Sequence, residues 1–538
     1  MGVAGQLGRL DFRGVSGAVP ARGCPLSRSE AKPVPTRFRS LPVSAARVCA
    51  AMALGLATTA VTPAADGPGQ PFAVARGGLG STAAAIRVRL RLEVDGELFA
   101  PAGAGGATER RPVAVRALFD FDETSCPPAG SAPTSFPTGA VLRSYTDATA
   151  DVRVGEESHR TALAADARRV LVSRAGTTPV PGLADGVFTD EEHDLLDTQF
   201  DPLLLDALLS GGQVEAGGTW HVPPDVAAGL LAIDTIESGG IDARLEEVEG
   251  GMARVRLSGI VDGAVDGVPT HVVVDGTLTT PARSVHPETA AEPQPPAWEL
   301  WGPVARVAVV LKERRQASHV APGLDVEARV VVTQTPIAME SFREAAAAPV
   351  AAETAGAAAG RRPPRRGDGP QAAVWRRDAA GRFDLVRDAR WRIVEDGTGG
   401  LVMRFIDRGA LVAQCSITAL DPPSLTPEPP TAADLERDVR RSLAGQIGGT
   451  EDASVATLPD GLQVARVAST GTVGGRAFTW IHYAVTAPDG TRVNLAFTLE
   501  PAMRDRFGDA DRRLIAGLRP GRQDRIARRA AGATDRVE

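Results

Sequence analysis

The sequence predicts an α+β chain, in which a β-rich antiparallel curved-sheet domain is followed by a smaller α/β/α domain on its own antiparallel sheet. Three observations predict it. Apolar and charged residues alternate in segment after segment between residues 84 and 338. Gly, Asp and Pro turns separate most of these segments, which favours antiparallel pairing of neighbours. From Trp391 to Leu518 the signals run β-β-β-α-β-β-β-α, a sheet covered by helices.

The first strand sets the pattern. In AAIRVRLRLEVDGEL, Ile86, Val88, Leu90, Leu92 and Val94 alternate with Arg87, Arg89, Arg91 and Glu93. One face is wet and one buried, and Asp95-Gly96 reads as the turn that ends the strand. The alternation recurs in 113–121, 140–154, 169–172, 253–261, 271–279, 305–312 and 326–332. One helical stretch interrupts it. Thr189-Asp190-Glu191-Glu192 is a capping box. Leu195, Leu196, Phe200, Leu203, Leu204 and Leu208 follow at helical spacing, Pro202 splits the segment in two, and Gly211-Gly212 stops it. Trp220, after Gly217-Gly218, opens a strand or loop against the sheet and is a candidate ligand contact.

The predicted divisions are a leader with signal peptide (1–65), a loose lead-in (66–83), the β-rich domain (84–338), a disordered linker (339–372), the α+β domain (373–520) and a disordered tail (521–538). The linker rests on its Ala, Pro, Gly and Arg content, which leaves no apolar period.

The last domain opens with RWRIVED, GLVMRFID and LVAQCSITAL as three strands. Thr431 to Asp434 caps a helix running to Gly445. LQVARVASTGTV, RAFTWIHYAVTA and RVNLAFTLE follow as strands, with Gly474-Gly475 and Asp489-Gly490 at the hairpin turns. A helix over 505–518 closes the domain. These segments together resemble the PsbP-like (Mog/PsbP) fold family, which includes exported bacterial proteins of the DcrB type. The resemblance covers about a quarter of the chain. It implies a mostly non-catalytic role in assembly, binding or the envelope, and it carries over no functional residue. Residues 84–338 resemble the lipoprotein-carrier (LolA/LppX-like) half-barrels in strand pattern alone.

Charge and leader address compartment. The 538 residues carry a net charge of -7, which gives no general attraction to nucleic acid. Lys32 and Lys312 are the only lysines, so Arg supplies the positive charge. Arg37, Arg39 and Arg47 precede VCAAMALGLATTAVTPAA, the basic, apolar and small-residue regions of a signal peptide cleaved near Ala64/Ala65. The run is too short and too Ala-rich for a stable transmembrane helix. Export is therefore expected, to the periplasm, envelope or exterior. Cys24 and Cys49 would leave with the leader. Cys126 and Cys415 show neither a disulfide framework nor metal spacing, and Cys415 reads as a buried thiol.

Signs of chemistry are few. The phosphate-loop, GxSxG and HExxH patterns are absent, and Gly77-Gly78-Leu79-Gly80-Ser81 precedes a strand rather than a helix. Glu191-Glu192-His193 reads as a helix start bearing favourable acids. Asp120, Asp122 and Glu123 could bind Ca²⁺ but read better as a solvated turn. Arg361, Arg362, Arg365 and Arg366 read as a solvated linker cluster. None of the seven histidines pairs with another at metal spacing. His482 shares a strand face with Trp480, and Tyr483 faces the other way. Trp480 and His482 join Trp220 as surface or ligand candidates. No catalytic, cofactor or metal residue is assigned. The expectation is an exported, non-enzymatic binding or assembly protein of the cell envelope, holding an apolar ligand or protein partner. The alternatives are a hydrolase with a site at the domain junction and a purely structural envelope protein.

Overall fold

The structure is a computed structural model that describes residues 85–101, 108–125, 140–175, 178–183, 186–285, 297–316, 323–347, 373–378, 381–397, 400–420, 428–443 and 445–521. The leader and export signal, the Gly77–Gly80 loop, Cys126, residues 348–372 of the expected linker and the expected tail beyond Gly521 lie outside them. The described residues form two compact units. One runs to Gln414 and takes in Arg506–Arg519; the other holds Cys415–Asp505.

The first unit is dominated by one antiparallel sheet. β1 (Ala85–Pro101), β2 (Thr108–Ser125) and β3 (Val141–Val154) pair in succession. β4 (Glu157–Ala162) folds back on β3, and β5 (Arg169–Ala175) and β6 (Thr178–Leu183) carry the sheet to one edge. β7 (Phe188–Thr189) leads into α1 (Asp190–Leu196) and a 3-10 segment, Pro202–Leu208. Pro202 divides the leucine-rich stretch as its fixed φ and missing donor require. Next come β8 (Gln213–Glu215), β9 (Thr219–His221), α2 (Pro224–Leu231), β10 (Thr235–Glu249), β11 (Met252–Val265) and β12 (Val268–Ser284). β13 (Ala297–Leu300), β14 (Arg306–Arg315) and β15 (Gly323–Ile337) complete the sheet.

The order across the sheet is β6-β5-β3-β2-β1-β15-β14-β12-β11-β10-β9, with β4, β8 and β13 branching off. β15 returns to lie beside β1, so Leu90 faces Val332 and Val94 faces Ala328. So many twisted strands curl. The inner faces of β1, β2, β3, β10, β11, β12, β14 and β15 share a single buried core with α1, the 3-10 segment and α2. One expectation fails in β1. Asp95-Gly96 is not a turn: the strand continues to Pro101, and Gly96 pairs with Val326. A Cβ there would lie 2.2 Å from the Asp325 carbonyl oxygen, so glycine serves close backbone approach rather than a turn.

After α3 (Met339–Ala347), β16 (Ala373–Arg377) and β17 (Phe383–Asp388) form a small sheet with β7, which runs parallel to β16. β18 (Trp391–Gly397) pairs with β19 (Gly400–Asp407), and Trp391 and Phe405 pack ring on ring at 5.1 Å. β20 (Ala410–Leu420) carries the chain from one unit into the other.

In the second unit α4 (Ala432–Ser442) precedes β21 (Ile447–Thr457), β22 (Gln463–Val473), β23 (Arg476–Thr486) and β24 (Arg492–Leu499). The strand order is β20-β24-β23-β22-β21. Thr431 and Asp434 cap α4 reciprocally, and Leu435 and Val439 bury its apolar stripe on Ala465, Val467 and Ala484. Gly474 and Gly475 both take positive φ, 57° and 81°, as a two-residue hairpin needs. The expected closing helix breaks at Gly508 (φ 54°) into α5 (Arg504–Phe507) and α6 (Ala510–Gly517). β25 (Leu518–Pro520) follows, beside β17.

The fold class must be corrected. Among the described residues 65% are strand and 16% helix, so the chain is predominantly β rather than α+β. The helical signals were real, but each marks a short element that plugs or caps a sheet; α4, the longest, has 11 residues. β16, β17 and β21 add strand where the sequence shows little alternation. In β21, IGGTEDASVAT lacks an apolar period altogether.

Candidate functional site

The inner face of the large sheet is the most distinctive surface, and its covering is built by local sequence. Thr189 Oγ1 accepts from the Glu192 N–H (3.2 Å), and the Glu192 carboxylate accepts from the Thr189 N–H (3.0 Å), which starts α1. Asp201 starts the 3-10 segment by accepting from the Leu203 N–H at 2.8 Å. Leu195, Leu196, Phe200, Leu204, Leu208 and Leu230 then enter the sheet's core. Phe200 holds a positive φ of 54°, an uncommon geometry for an aromatic residue, and donates its N–H to the Leu230 carbonyl. The inner face is thus covered by the protein's own leucines.

A buried ion set fastens this plug to the sheet. Arg143 of β3 binds Glu123 of β2 at 2.8 Å and both oxygens of Asp201 at 2.8 and 2.6 Å. All three residues are buried. Burial works against the guanidinium's charge, and Asp201 and Glu123 together override it, so Arg143 stays charged. It also stacks over the Phe121 ring at 5.0 Å. The neighbouring Tyr145 hydroxyl is pushed up by burial to about 12.

Trp220 belongs to the same fastening. Its indole N–H donates to the Leu208 carbonyl at 2.8 Å, tying the end of the 3-10 segment to β9. It is half-buried and packs on the core, so its visible work is structural. A second buried pair, Glu313 and Arg315, lies on β14. Burial raises the Glu313 carboxyl, and Arg315 offsets this only in part. Strand register separates the two charged sets. Glu123 faces Ile86, whereas Glu313 faces Val326, which faces Gly96. From Ile86 to Gly96 is roughly 33 Å of strand. Along β1 that inner stretch carries Val88, Leu90, Leu92 and Val94, all apolar and buried.

Trp480 and His482 lie on β23 of the second unit. Trp480 is buried and sits 6.0 Å from the Phe478 ring. Among the described residues the enclosed His482 Nε2 has no hydrogen-bond partner, and burial lowers the imidazole to about 4. Two further enclosed polar atoms on the same face, Ser469 Oγ and Asn494 Oδ1, have no partner among the described residues. Ser469 faces Trp480 and Asn494 faces Ala484, so both are diagonal neighbours of His482. Sequence reasoning missed both, although counting back through the Gly474-Gly475 hairpin would have placed Ser469. A neutral imidazole with a carboxamide nearby can exchange hydrogen bonds with a guest, but it lacks the carboxylate that orients a catalytic histidine. Tyr483 faces the other way, as expected, against Phe497 and Arg466.

The outer face of the large sheet is charged. Arg87 pairs with Asp122, Arg89 with Asp120, Arg116 with Asp95 and Arg314 with Asp325. The three acids considered for Ca²⁺ therefore diverge, since Glu123 points inward to Arg143. They stand on a strand, not a turn, because β2 runs on to Ser125. Among the described residues no group of three His, Cys, Asp or Glu is placed to hold a metal. His271 and Ser238 both hydrogen-bond Asp262, at 2.7 and 3.2 Å. Here the acid stands between the other two, so the histidine cannot take the serine's proton as a triad requires. Cys415 is buried, as expected.

No family profile and no curated protein matches this chain. Among solved structures it is similar to cyanobacterial PsbP (CyanoP) from Synechocystis, at 14% identity and a TM-score of 0.23, over 29% of this chain and 96% of that one. It is also similar to the outer membrane protein OmpT of Vibrio cholerae, at 6% identity and a TM-score of 0.11, over 78% and 98%. OprB of Pseudomonas putida matches at 8% identity and a TM-score of 0.09, over 78% and 92%. The expected PsbP-like resemblance thus reappears as a partial, low-scoring structural similarity. Among the described residues no helix is long and apolar enough to cross a membrane.

Proposed function

We propose that this chain is an exported, non-enzymatic binding protein of the cell envelope, whose curved sheet takes an apolar ligand on its concave face. The carrying observation is the pairing of that apolar face with a cover built largely of short helical segments. Short elements joined by loops open at lower free energy than core strands. An acyl chain or apolar peptide would take the place of the plug leucines, and the charged outer face would stay in water. The second unit would serve as a PsbP-like accessory or assembly module.

The test is uptake of a fluorescent fatty-acid probe by the purified full chain. Saturable binding, strengthened when Arg143→Met loosens the plug, supports the reading. Absence of uptake by both proteins overturns it.

A further inference from the structure

We propose that β21 is a dimerisation edge, where two copies of this chain pair strand to strand, antiparallel, across Val455. The hydrogen-bond parity of the sheet leads there. Val473 and Arg476 close a two-residue hairpin and so exchange both backbone hydrogen bonds, and pairing alternates from that point. Ala468, Arg466 and Val464 of β22 therefore turn their backbone groups toward β21. Their partners there are Asp452, Ser454 and Ala456. It follows that Ala453, Val455 and Thr457 aim their N–H and C=O groups at the open edge. Among the described residues no strand pairs on that side of β21.

The edge is exposed and unguarded. Every side chain from Glu451 to Thr457 is exposed, and Val455 is 52% accessible, one of the few large apolar side chains left open among the described residues. Edges are ordinarily blunted by bulges, proline or inward charge. The two bulges of β21 fall between Ile447 and Gly449 and between Thr450 and Asp452, ahead of this stretch. Residues 453–457 hold no proline and no charge.

Register and charge suit a second copy as the occupant. In a two-fold pair centred on Val455, Ala453 faces Thr457, Ser454 faces Ala456, and Asp452 faces Leu458. No like charges meet. Asp452 and Glu451 are already engaged by Arg466 and Arg504 within the chain. Val455 and Ala453 stand beside Ala465 and Val467, the residues that α4 covers. A second copy would therefore extend that apolar face, with Val455 against its own counterpart.

The test is the molar mass of the full chain in solution by light scattering, for wild type, Val455→Pro and Val455→Lys. Pro removes an N–H that no partner among the described residues uses, and Lys sets two like charges against each other across the axis. We expect a wild-type dimer and loss of the dimer in both variants, with the far-UV circular dichroism spectrum unchanged. Should Pro perturb the fold, Lys decides. A monomeric wild type, including one whose edge takes an extended peptide from another protein, overturns the proposal, as does a Val455→Lys variant that remains dimeric.

Discussion

Arg143 grips Asp201 with both terminal nitrogens, at 2.8 and 2.6 Å, and through this contact a strand of the sheet holds the start of the helical plug. The pair is out of water, so its parts cannot be removed separately at low cost. Arg143→Met would leave the Glu123 and Asp201 carboxylates buried without their cation. We expect a loss of about 3–5 kcal/mol, read from urea denaturation. Asp201→Asn should cost less, because Glu123 still balances Arg143.

His482 should make the second unit sensitive to acid. Its folded value, about 4, lies below the ordinary histidine value near 6.5. Protonation therefore favours the unfolded chain: the stability is fully present above pH 6.5 and is lost as pH falls toward 4. The full effect is roughly 3 kcal/mol. His482→Gln should flatten stability against pH in that window. An unchanged slope in the variant would show that another group titrates there.

Trp480 fills the same sheet face. Trp480→Ala should leave a cavity and lower stability by about 3–5 kcal/mol. The measurement is denaturant unfolding of the full chain followed by circular dichroism. A variant as stable as wild type would mean that the side chain is exposed in solution.

Gly96 tests the pairing of β1 with β15. A Cβ at this position would meet the Asp325 carbonyl at 2.2 Å, and the obstacle is backbone that cannot rotate aside. Gly96→Ala should therefore lower stability, by about 1–3 kcal/mol. Gly250→Ala at the β10–β11 turn has open space but a positive φ of 56°, so its smaller cost would be purely conformational.

Much of this fold was legible because local chemistry forces it. Alternation in 86–94 places β1, Thr189 and Thr431 cap α1 and α4, and Gly474-Gly475 turns the hairpin. Where a residue had two uses, the sequence misled. Gly96 supplies close approach where Asp-Gly reads as a turn, and Glu123 shares a motif with Asp120 and Asp122 but faces the opposite side. The Arg143–Asp201 contact joins residues 58 apart, and no local pattern announces it. β21 was hidden because its side chains are almost wholly exposed and lack the apolar period that marks a strand. Trp480 and His482 were correctly placed on one face, while the polar neighbours Ser469 and Asn494 become visible only once register is known.

Binding on the concave face can be settled by native mass spectrometry of the full chain purified from its own source, followed by extraction and analysis of any lipid released. The expected result is a mass above that of the polypeptide, with an acyl-chain ligand in defined stoichiometry that organic extraction removes. A bare polypeptide mass, together with failure to take up added fatty acid, would contradict it.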